Sequence, residues 1–312
     1  MDVTAAPSRV SLGEGSTPLV RAHRLSDELG LELYLKLEGA NPTGSFKDRG
    51  MRVAVERAAA SGAHTVVCAS TGNTAASASA YAARAGLRAL VLTPAGATAS
   101  AKRAQASAAG ARLLEIRGTF DDALRLCRQL GELDGFVLVN SVNPDRVEGQ
   151  KSVAGEILDQ LGATPDIVAL PYGGGGNVSA VAAGFAERGV APRLVIGEAA
   201  ERATTWASAI RISEPAHAAH VAELVEAGRV EVVSLVEEEL RAAWRRLATS
   251  EGTFCEPASA AGLAVLLRLG IAGGETAVCI LTGHGLKDTD AVDQSSARVV
   301  DATLEAVLAE VA

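Results

Sequence analysis

Aromatic residues and cysteines are scarce in this chain of 312 residues. Phe, Trp and Tyr make up only 3% of it, so aliphatic side chains and alanine must fill the core, for which a hydrophobic content of 48% is ample. The four cysteines, Cys68, Cys127, Cys255 and Cys279, have no spacing typical of a metal or redox site. Cys68 and Cys279 lie in apolar runs, so we expect buried, reduced thiols without disulfides.

The chain also lacks a net positive charge and long apolar runs. A net charge of -8 argues against a nucleic-acid-binding surface, which needs a basic stripe. The N-terminus shows no pattern typical of a signal or transit peptide, and no apolar run is long enough to span a bilayer. We therefore expect a cytoplasmic protein that binds neither nucleic acid nor a membrane, while a helix N-terminus can still hold an anion locally.

Short apolar runs alternate with helical patterns along the chain, which favours an α/β fold with mostly parallel sheets covered by helices. The length and the number of runs predict two sheets in two tightly packed domains, with a ligand between them. The predicted strands are Glu32–Leu37, Thr65–Ala69, Ala89–Thr93, Arg112–Ile116, Phe136–Val139, Ile167–Leu170, Arg193–Ile196, Glu231–Leu235 and Ala277–Leu281. The predicted helices are Asp48–Ala60, Thr74–Ala85, Ala99–Ala109, Phe120–Leu133, Arg146–Leu161, Asn177–Arg188, Glu237–Thr249 and Ser259–Arg268.

The segment Asn41–Gly50 places a lysine directly behind a turn that contains proline and glycine. Ser45 and Asp48 have the spacing of a capping box, so a helix should begin after Ser45. Lys47 would then lie at the positive end of the helix dipole, beside Phe46, and both features lower the pKa of its ammonium group. Such a lysine is suited to forming a Schiff base with a carbonyl compound, although the segment alone fits an ordinary surface lysine equally well.

A loop rich in hydroxyl groups, Ser70–Thr74, follows the predicted strand Thr65–Ala69 and precedes a helix. Its Ser, Thr and Asn side chains, with the free backbone N–H groups of the helix start, form a natural cradle for a carboxylate. Ordinary helix capping is the simpler interpretation, but capping needs only one such residue. The loop therefore predicts a carboxylate site.

Four consecutive glycines, Gly173–Gly176, follow the predicted strand Ile167–Leu170 and precede another helix. They let the backbone approach an anion closely and direct successive N–H groups at it, which is typical of a phosphate cup. A dinucleotide loop is the alternative, because Glu198 has the place of a ribose-binding acid. The dinucleotide fingerprint, however, requires a glycine where Val178 stands, and no Lys-Ser/Thr pair of a P-loop follows the glycines.

A Schiff-base lysine, a carboxylate cradle and a phosphate cup together match what a pyridoxal-phosphate enzyme must hold when it acts on an amino acid. A dinucleotide-dependent oxidoreductase and a non-catalytic amino-acid sensor are the alternatives from other classes. His217 and His220 are spaced for one helical face, but without an evident third ligand nearby they predict a surface helix and no metal site. His284 lies in a glycine-containing turn. It is either a residue that contacts the ligand cleft or a histidine with a purely structural role.

Five segments closely resemble threonine synthases. They are LKLEGANPTGSFKDRG (Leu35–Gly50), CASTGNTAASASAYAARAG (Cys68–Gly86), NSVNPDRVEGQK (Asn140–Lys151), EPASAAG (Glu256–Gly262) and LTGHGLKD (Leu281–Asp288). The resemblance implies a fold type II pyridoxal-phosphate enzyme, similar to the tryptophan synthase β subunit, with two open twisted sheets and the site between them. We expect a large cofactor-binding domain of residues 1–52 and 147–312, a smaller inserted α/β domain of residues 53–146, and a homodimer.

Carried over to the matching positions, the resemblance implies a role for each site residue. Lys47 would hold pyridoxal 5′-phosphate as a Schiff base and move protons, Asn73 would bind the ring hydroxyl, and Thr282 would face the pyridine nitrogen. The cofactor phosphate would lie on Gly173, Gly174, Gly175, Gly176 and Asn177. The substrate would be bound through its carboxylate by Ser70, Thr71 and Thr74, and through its phosphate by Asn140, Ser141 and Arg146.

The reaction that the resemblance implies converts O-phospho-L-homoserine and water to L-threonine and phosphate. Gly174 departs from the family's PVGNAGN pattern, which has at this position an asparagine that helps to hold the substrate's phosphate. A related elimination or replacement enzyme, such as a threonine or serine dehydratase or a threonine synthase paralogue of specialised metabolism, is therefore the alternative.

Overall fold

The computed structural model describes residues 8–96, 100–271, 273–292 and 299–310. Within these ranges the strands β1 to β10 span Leu19–Arg21, Glu32–Leu37, Thr65–Ala69, Arg88–Pro94, Arg112–Ile116, Phe136–Leu138, Ile167–Pro171, Arg193–Ala199, Val230–Leu235 and Thr276–Leu281. The helices α1 to α12 span His23–Leu29, Lys47–Ala60, Asn73–Ala85, Ser100–Ala108, Phe120–Gly131, Pro144–Gln150, Ser152–Leu161, Gly176–Glu187, Ala218–Glu226, Glu237–Glu251, Ala261–Leu269 and Leu304–Leu308.

The strands form two sheets, as the alternation of apolar runs predicts. One has six strands in the order β1-β2-β10-β7-β8-β9, and the other has four strands in the order β5-β4-β3-β6. Among the described strands every neighbouring pair is parallel except β1 with β2. Strands β3 and β7 are buried along their whole length, as expected where helices cover both faces of a parallel sheet. The predicted α/β class is confirmed.

Each sheet has its own apolar clusters. Two clusters surround the six-stranded sheet, and two others lie on the four-stranded sheet. Helix α2 packs on the smaller sheet, where Met51 and Ala54 contact the cluster that contains Val66 of β3. Within the described residues no apolar cluster joins the two sheets. The two halves of the molecule therefore have separate cores.

Two expectations from composition can be compared with this fold. All four cysteines are buried free thiols, as predicted for Cys68 and Cys279, and burial raises the pKa of Cys68 to about 12. In the described part of the chain, no helix combines the length and the apolar character needed to cross a membrane.

Some elements differ from those that the apolar runs predict. Strand β1 and helix α1 precede the first predicted strand, and β1 has only three residues, too few for an alternating pattern. The predicted helix Arg146–Leu161 is divided at Lys151 into α6 and α7. Both pack on α8, but α6 also packs against α2 and α7 also packs on β1. The predicted start of α4 at Ala99 lies outside the described residues, and the helix is described from Ser100.

The predicted capping box at the start of α2 is wrong. Ser45 Oγ is buried without a hydrogen-bond partner among the described residues. The carboxylate of Asp48 instead accepts hydrogen bonds from Thr43 N, Thr43 Oγ1 and Ser77 Oγ, each at 2.6 Å. Asp48 is fully buried, so its carboxylate closes the preceding turn and links α2 to α3. The helix nevertheless begins at Lys47, after Ser45 as predicted.

Two glycines let α2 and α6 approach each other without side chains between them. A Cβ on Gly50 would lie 2.3 Å from the Arg146 carbonyl oxygen, and one on Gly149 would lie 2.3 Å from the Arg49 carbonyl oxygen. Either distance is far below van der Waals contact. The crossing therefore holds the start of α6, which carries Arg146, against the start of α2, which carries Lys47.

Replacing a glycine at this crossing should destabilise the protein. Gly149→Ala would force the two helices apart, and overpacking of this kind costs about 1–3 kcal/mol. The loss should be seen as a lower free energy of unfolding in urea, followed by circular dichroism. Gly155→Ala in α7 is the matched control, because the new methyl group meets only the flexible end of Arg188. Equal stability of the two variants would contradict the role of the crossing.

Candidate active site

The lysine turn is joined to the end of β10 by backbone hydrogen bonds. Phe46 N donates to the Thr282 carbonyl at 3.0 Å, and His284 N donates to the Gly44 carbonyl at 2.9 Å. These bonds hold Lys47, the first residue of α2, near Thr282 at the carboxyl end of the large sheet. Ligand sites of open α/β sheets lie at this edge.

Lys47 has the lowered pKa that the sequence predicts. Burial and, secondly, the positive charge of Arg146 lower the pKa to about 7, while Glu256 opposes the shift. Lys47 Nζ lies 4.5 Å from the centroid of the Phe46 ring, which shields it from water. Because the ammonium form loses hydration here, a large part of the amine is neutral and nucleophilic near pH 7.

Arg146 is the largest side chain that is completely buried. Its Nη1 donates to the Val139 carbonyl at 2.8 Å, while Nε and Nη2 have no hydrogen-bond partner among the described residues. Burial lowers the pKa of this guanidinium to about 10. Buried donors are almost always paired in proteins, so two free donor groups on one guanidinium indicate a place for an anion.

Two predicted substrate-binding side chains are bonded to the backbone near the end of β3. Ser70 Oγ accepts hydrogen bonds from Gly72 N and Ala75 N, both at 3.1 Å, and so stabilises the start of α3. The Asn140 side chain accepts from Ala69 N at 2.9 Å and donates to the Ala69 carbonyl at 2.8 Å. Each of these side chains can still form a further hydrogen bond, because the Ser70 hydroxyl can donate one and the Asn140 amide has a second N–H.

The three predicted threonines differ in their surroundings. Thr71 and Thr74 are half-buried in the loop at the start of α3. Thr282 is buried, and its Oγ1 lies 3.1 Å from Ser259 Oγ. Ser259 Oγ also accepts a hydrogen bond from Gly283 N at 3.0 Å, so the Thr282 hydroxyl has a fixed neighbour.

The glycine loop leads directly into α8, which begins at Gly176. Gly175 has a φ of +85°, a left-handed conformation that favours glycine. Asn177 Nδ2 is buried and has no hydrogen-bond partner among the described residues. At one side of the loop, Arg202 Nη1 donates to the Gly173 carbonyl at 3.3 Å. A helix N-terminus with a free buried donor is suited to a phosphate group.

Asn73 is connected to a buried ion pair. Its Nδ2 donates to Glu256 Oε2 at 2.7 Å, and Glu256 Oε1 lies 2.9 Å from Lys102 Nζ. Asn73 Oδ1 is buried without a partner among the described residues. Since Lys102 lies on α4 and Glu256 lies beside the large sheet, the pair spans both halves of the molecule and fixes the orientation of Asn73.

The residues assembled here fit pyridoxal phosphate. A low-pKa amine, Lys47, is available for the aldehyde, and the glycine loop lies at the N-terminus of α8, where a phosphate group can bind. The described residues also leave buried polar atoms unpaired for a ligand, namely Asn73 Oδ1, Asn177 Nδ2, Arg146 Nε and Arg146 Nη2.

Comparison with known proteins agrees with this site. The sequence profile of pyridoxal-phosphate dependent enzymes matches residues 10–283. The chain belongs to this family. Pyridoxal 5′-phosphate is therefore its cofactor, and neither a dinucleotide-dependent oxidoreductase nor a non-catalytic sensor accounts for the chain. Glu198, which kept the dinucleotide interpretation open, accepts a hydrogen bond from Arg202 Nε at 3.1 Å.

Individual relatives of this pyridoxal-phosphate dependent enzyme match almost the whole chain. Threonine synthase from Halalkalibacterium halodurans is 47% identical over 309 residues, which cover 92% of this chain and 87% of the relative. Threonine synthase from Mycobacterium leprae is 45% identical over 321 residues, covering 96% and 89%. The crystal structure of cysteine synthase from Entamoeba histolytica is 20% identical and has a TM-score of 0.81, covering 96% and 94%, and shares the fold.

The buried charged residues that sequence reasoning did not single out in this pyridoxal-phosphate dependent enzyme include Lys102, Glu256 and Lys287. Lys287 Nζ donates to the Thr43 carbonyl at 2.5 Å and to the side chain of Gln105, and burial lowers its pKa to about 8. Glu256 and Lys287 lie within the segments that resemble threonine synthases, so a signal for them was present. Lys102 has no such signal, because its sequence context is that of an ordinary lysine in a helix.

Attachment of the cofactor to the apo-protein should follow deprotonation of Lys47. Because the pKa of Lys47 is about 7, the rate of Schiff-base formation with added pyridoxal 5′-phosphate should rise through pH 7 and then level off. Arg146→Met removes a neighbouring positive charge, so the midpoint should move to higher pH. Absorbance of the imine measures both rates. A wild-type midpoint near 10.5, the ordinary value for lysine, would show that Lys47 is not perturbed.

Neutralising Glu256 should destabilise the apo-protein. Glu256→Gln leaves the buried Lys102 with Asp288, at 3.7 Å, as its acidic partner among the described residues. Breaking a buried pair in this way costs about 3 kcal/mol. Asp159→Asn is the control, because it breaks an exposed pair with Arg188 and should cost less than about 1 kcal/mol. Urea unfolding measures the loss in the free energy of unfolding for both variants. A Glu256 variant as stable as the control would contradict the stabilising role of this ion pair.

Proposed function

We propose that the protein is a threonine synthase, which converts O-phospho-L-homoserine and water to L-threonine and phosphate. The observation that carries the proposal is the buried Arg146, whose free Nε and Nη2 share an interior with the low-pKa amine of Lys47. A substrate phosphate would supply the acceptors for these donors through charge-assisted hydrogen bonds. Threonine synthases that are 44% to 47% identical to the chain support the same activity.

The cofactor, when bound, supplies an electron sink that stabilises negative charge on the substrate's carbons. We propose that Lys47 holds it as a Schiff base and that Asn73, with Oδ1 free, binds its ring hydroxyl. The Thr282 hydroxyl would face the pyridine nitrogen. The cofactor phosphate is held by Gly173, Gly174, Gly175, Gly176 and Asn177.

Lys47 is also suited to moving protons. With a pKa of about 7, its Nζ can accept a proton from a substrate carbon and release it again near neutral pH, where a general base works best. The charge of Arg146 contributes to this low pKa. The guanidinium that binds the leaving phosphate therefore also keeps the neighbouring amine in its neutral form.

The remaining site residues bind and orient the substrate. Ser70, Thr71 and Thr74 hold its carboxylate at the N-terminus of α3, where free backbone N–H groups favour an anion. Asn140 and Ser141 assist Arg146 at the phosphate. The hydrogen bonds from Ala69 N and Ala75 N to Asn140 and Ser70 orient these two side chains before the substrate arrives.

A threonine or serine dehydratase, or a specialised paralogue, is the second candidate, and Gly174 is the observation that favours it. A Cβ at this position would lie 3.7 Å from Ile212 Cδ1, an ordinary contact distance. There is thus room for the first atom of a phosphate-binding side chain that this chain does not have.

The proposed activity is accompanied by proposals on organisation. We expect a homodimer in the cytoplasm, with a cofactor domain of residues 1–52 and 147–312 and an inserted domain of residues 53–146. The division of the strands into two sheets with separate apolar clusters supports two domains.

Saturating O-phosphohomoserine should yield threonine and phosphate in equal amounts from the purified holoenzyme, which a panel assay of phosphate, threonine, ammonia and 2-oxo acids measures. A 2-oxo acid formed from threonine or serine, without phosphate release from O-phosphohomoserine, would favour the dehydratase. If O-phosphohomoserine yields neither phosphate nor threonine, the proposal is wrong.

Two variants test the residues in the same assay. Lys47→Ala should reduce turnover by at least about 1,000-fold, because cofactor attachment and proton transfer are both lost. Arg146→Lys should raise the KM for O-phosphohomoserine about tenfold, because a point charge cannot replace the two donors of the guanidinium. Lys151→Ala, which changes a lysine that pairs with Glu148 and Glu187, is the control and should leave turnover unchanged.

A further inference from the structure

The segment between β8 and α9 folds back over the glycine loop, and His217 lies at its end. His217 N donates to the Gly174 carbonyl at 3.0 Å. A Cβ on Gly175 would lie 3.0 Å from His217 Cβ, so the two chains are in direct contact. His217 is therefore not simply part of a surface helix, as its sequence spacing with His220 predicts.

The imidazole of His217 bridges two loops of the site. Its Nε2 lies 2.9 Å from the Ser141 carbonyl oxygen and would lie 3.3 Å from a Cβ on Gly176. A carbonyl oxygen can only accept, so Nε2 carries a proton in this contact. His217 is half-buried.

These two loops are the ones assigned to two different phosphate groups. Under the proposed function, on which this inference rests, the glycine loop holds the cofactor phosphate, and Ser141 with Arg146 holds the substrate phosphate. A side chain that contacts both loops therefore lies beside both of the assigned phosphate sites. Gly174, directly beside it, contributes no side-chain donor.

We propose that His217 is a substrate-binding residue for the phosphate of the substrate and supplies, from a neighbouring segment, the donor that Gly174 lacks. The Nε2 proton, whose acceptor here is the Ser141 carbonyl, would be shared with a phosphate oxygen in a three-centre hydrogen bond.

Variants of His217 test the proposal in the holoenzyme. His217→Ala should raise the KM for O-phosphohomoserine and the inhibition constant of inorganic phosphate by about 10- to 100-fold, the range for a hydrogen bond to a charged group, with a much smaller change in kcat. His217→Gln should retain most of the affinity, because its amide can donate from a similar position. His220→Ala is the matched control on α9, where His220 is exposed and contacts Glu223, and should change neither constant.

A merely structural role gives a different result. In that case the alanine and glutamine variants would lose thermal stability and kcat together, with no selective effect on phosphate, and the proposal would be overturned. Unchanged KM and phosphate inhibition in His217→Ala would overturn it as well.

Failure of the proposed function can be distinguished from failure of the His217 proposal. Titration of the wild-type holoenzyme with inorganic phosphate, followed by the ¹H–¹⁵N signals of the histidine rings, requires no turnover. A shift of the His217 signal, identified by its loss in His217→Gln, supports the phosphate contact even if O-phosphohomoserine is not a substrate. Absence of that shift contradicts the contact whatever the enzyme converts.

Discussion

Two basic side chains, Lys47 and Arg146, share a part of the interior from which water is largely removed. Burial is the main cause of the lowered pKa of each, and the charge of Arg146 lowers the pKa of Lys47 further. The close crossing of α2 and α6 at Gly50 and Gly149 prevents the two from moving apart. An anion that enters this space would offset the buried positive charge, so the proposed binding of a phosphate group here follows from the packing of two helices.

Two nearby carboxylates partly offset the positive charge of this pair through space. Asp48 acts on Arg146 and Glu256 acts on Lys47, both through space. The oxygens of Asp48 are bonded to Thr43 and Ser77, so Arg146 keeps its free donors. A direct ion pair at Arg146 would compete with the substrate phosphate that is proposed to bind there.

Much of the fold and the site could be predicted where local pattern and structure agree. Buried parallel strands such as β3 form continuous apolar runs, and the turn before Lys47 contains the residues that such turns require. The capping box could not be judged from spacing, because the spacing does not reveal that Asp48 is buried against α3. Glu256 and His217 reach the site from distant parts of the chain, and the contacts that make them important exist only after folding.

The separate apolar clusters of the two sheets have a consequence for how ligands enter. The contacts of α4 with the loops of the large sheet include ionic and polar ones, from Lys102 to Glu256 and from Gln105 to Lys287. Small rotations that part this seam expose charged groups, which water solvates readily, and leave both cores intact. Access to the buried amine along this seam would therefore require polar contacts to part, whereas the apolar core of each half would stay intact.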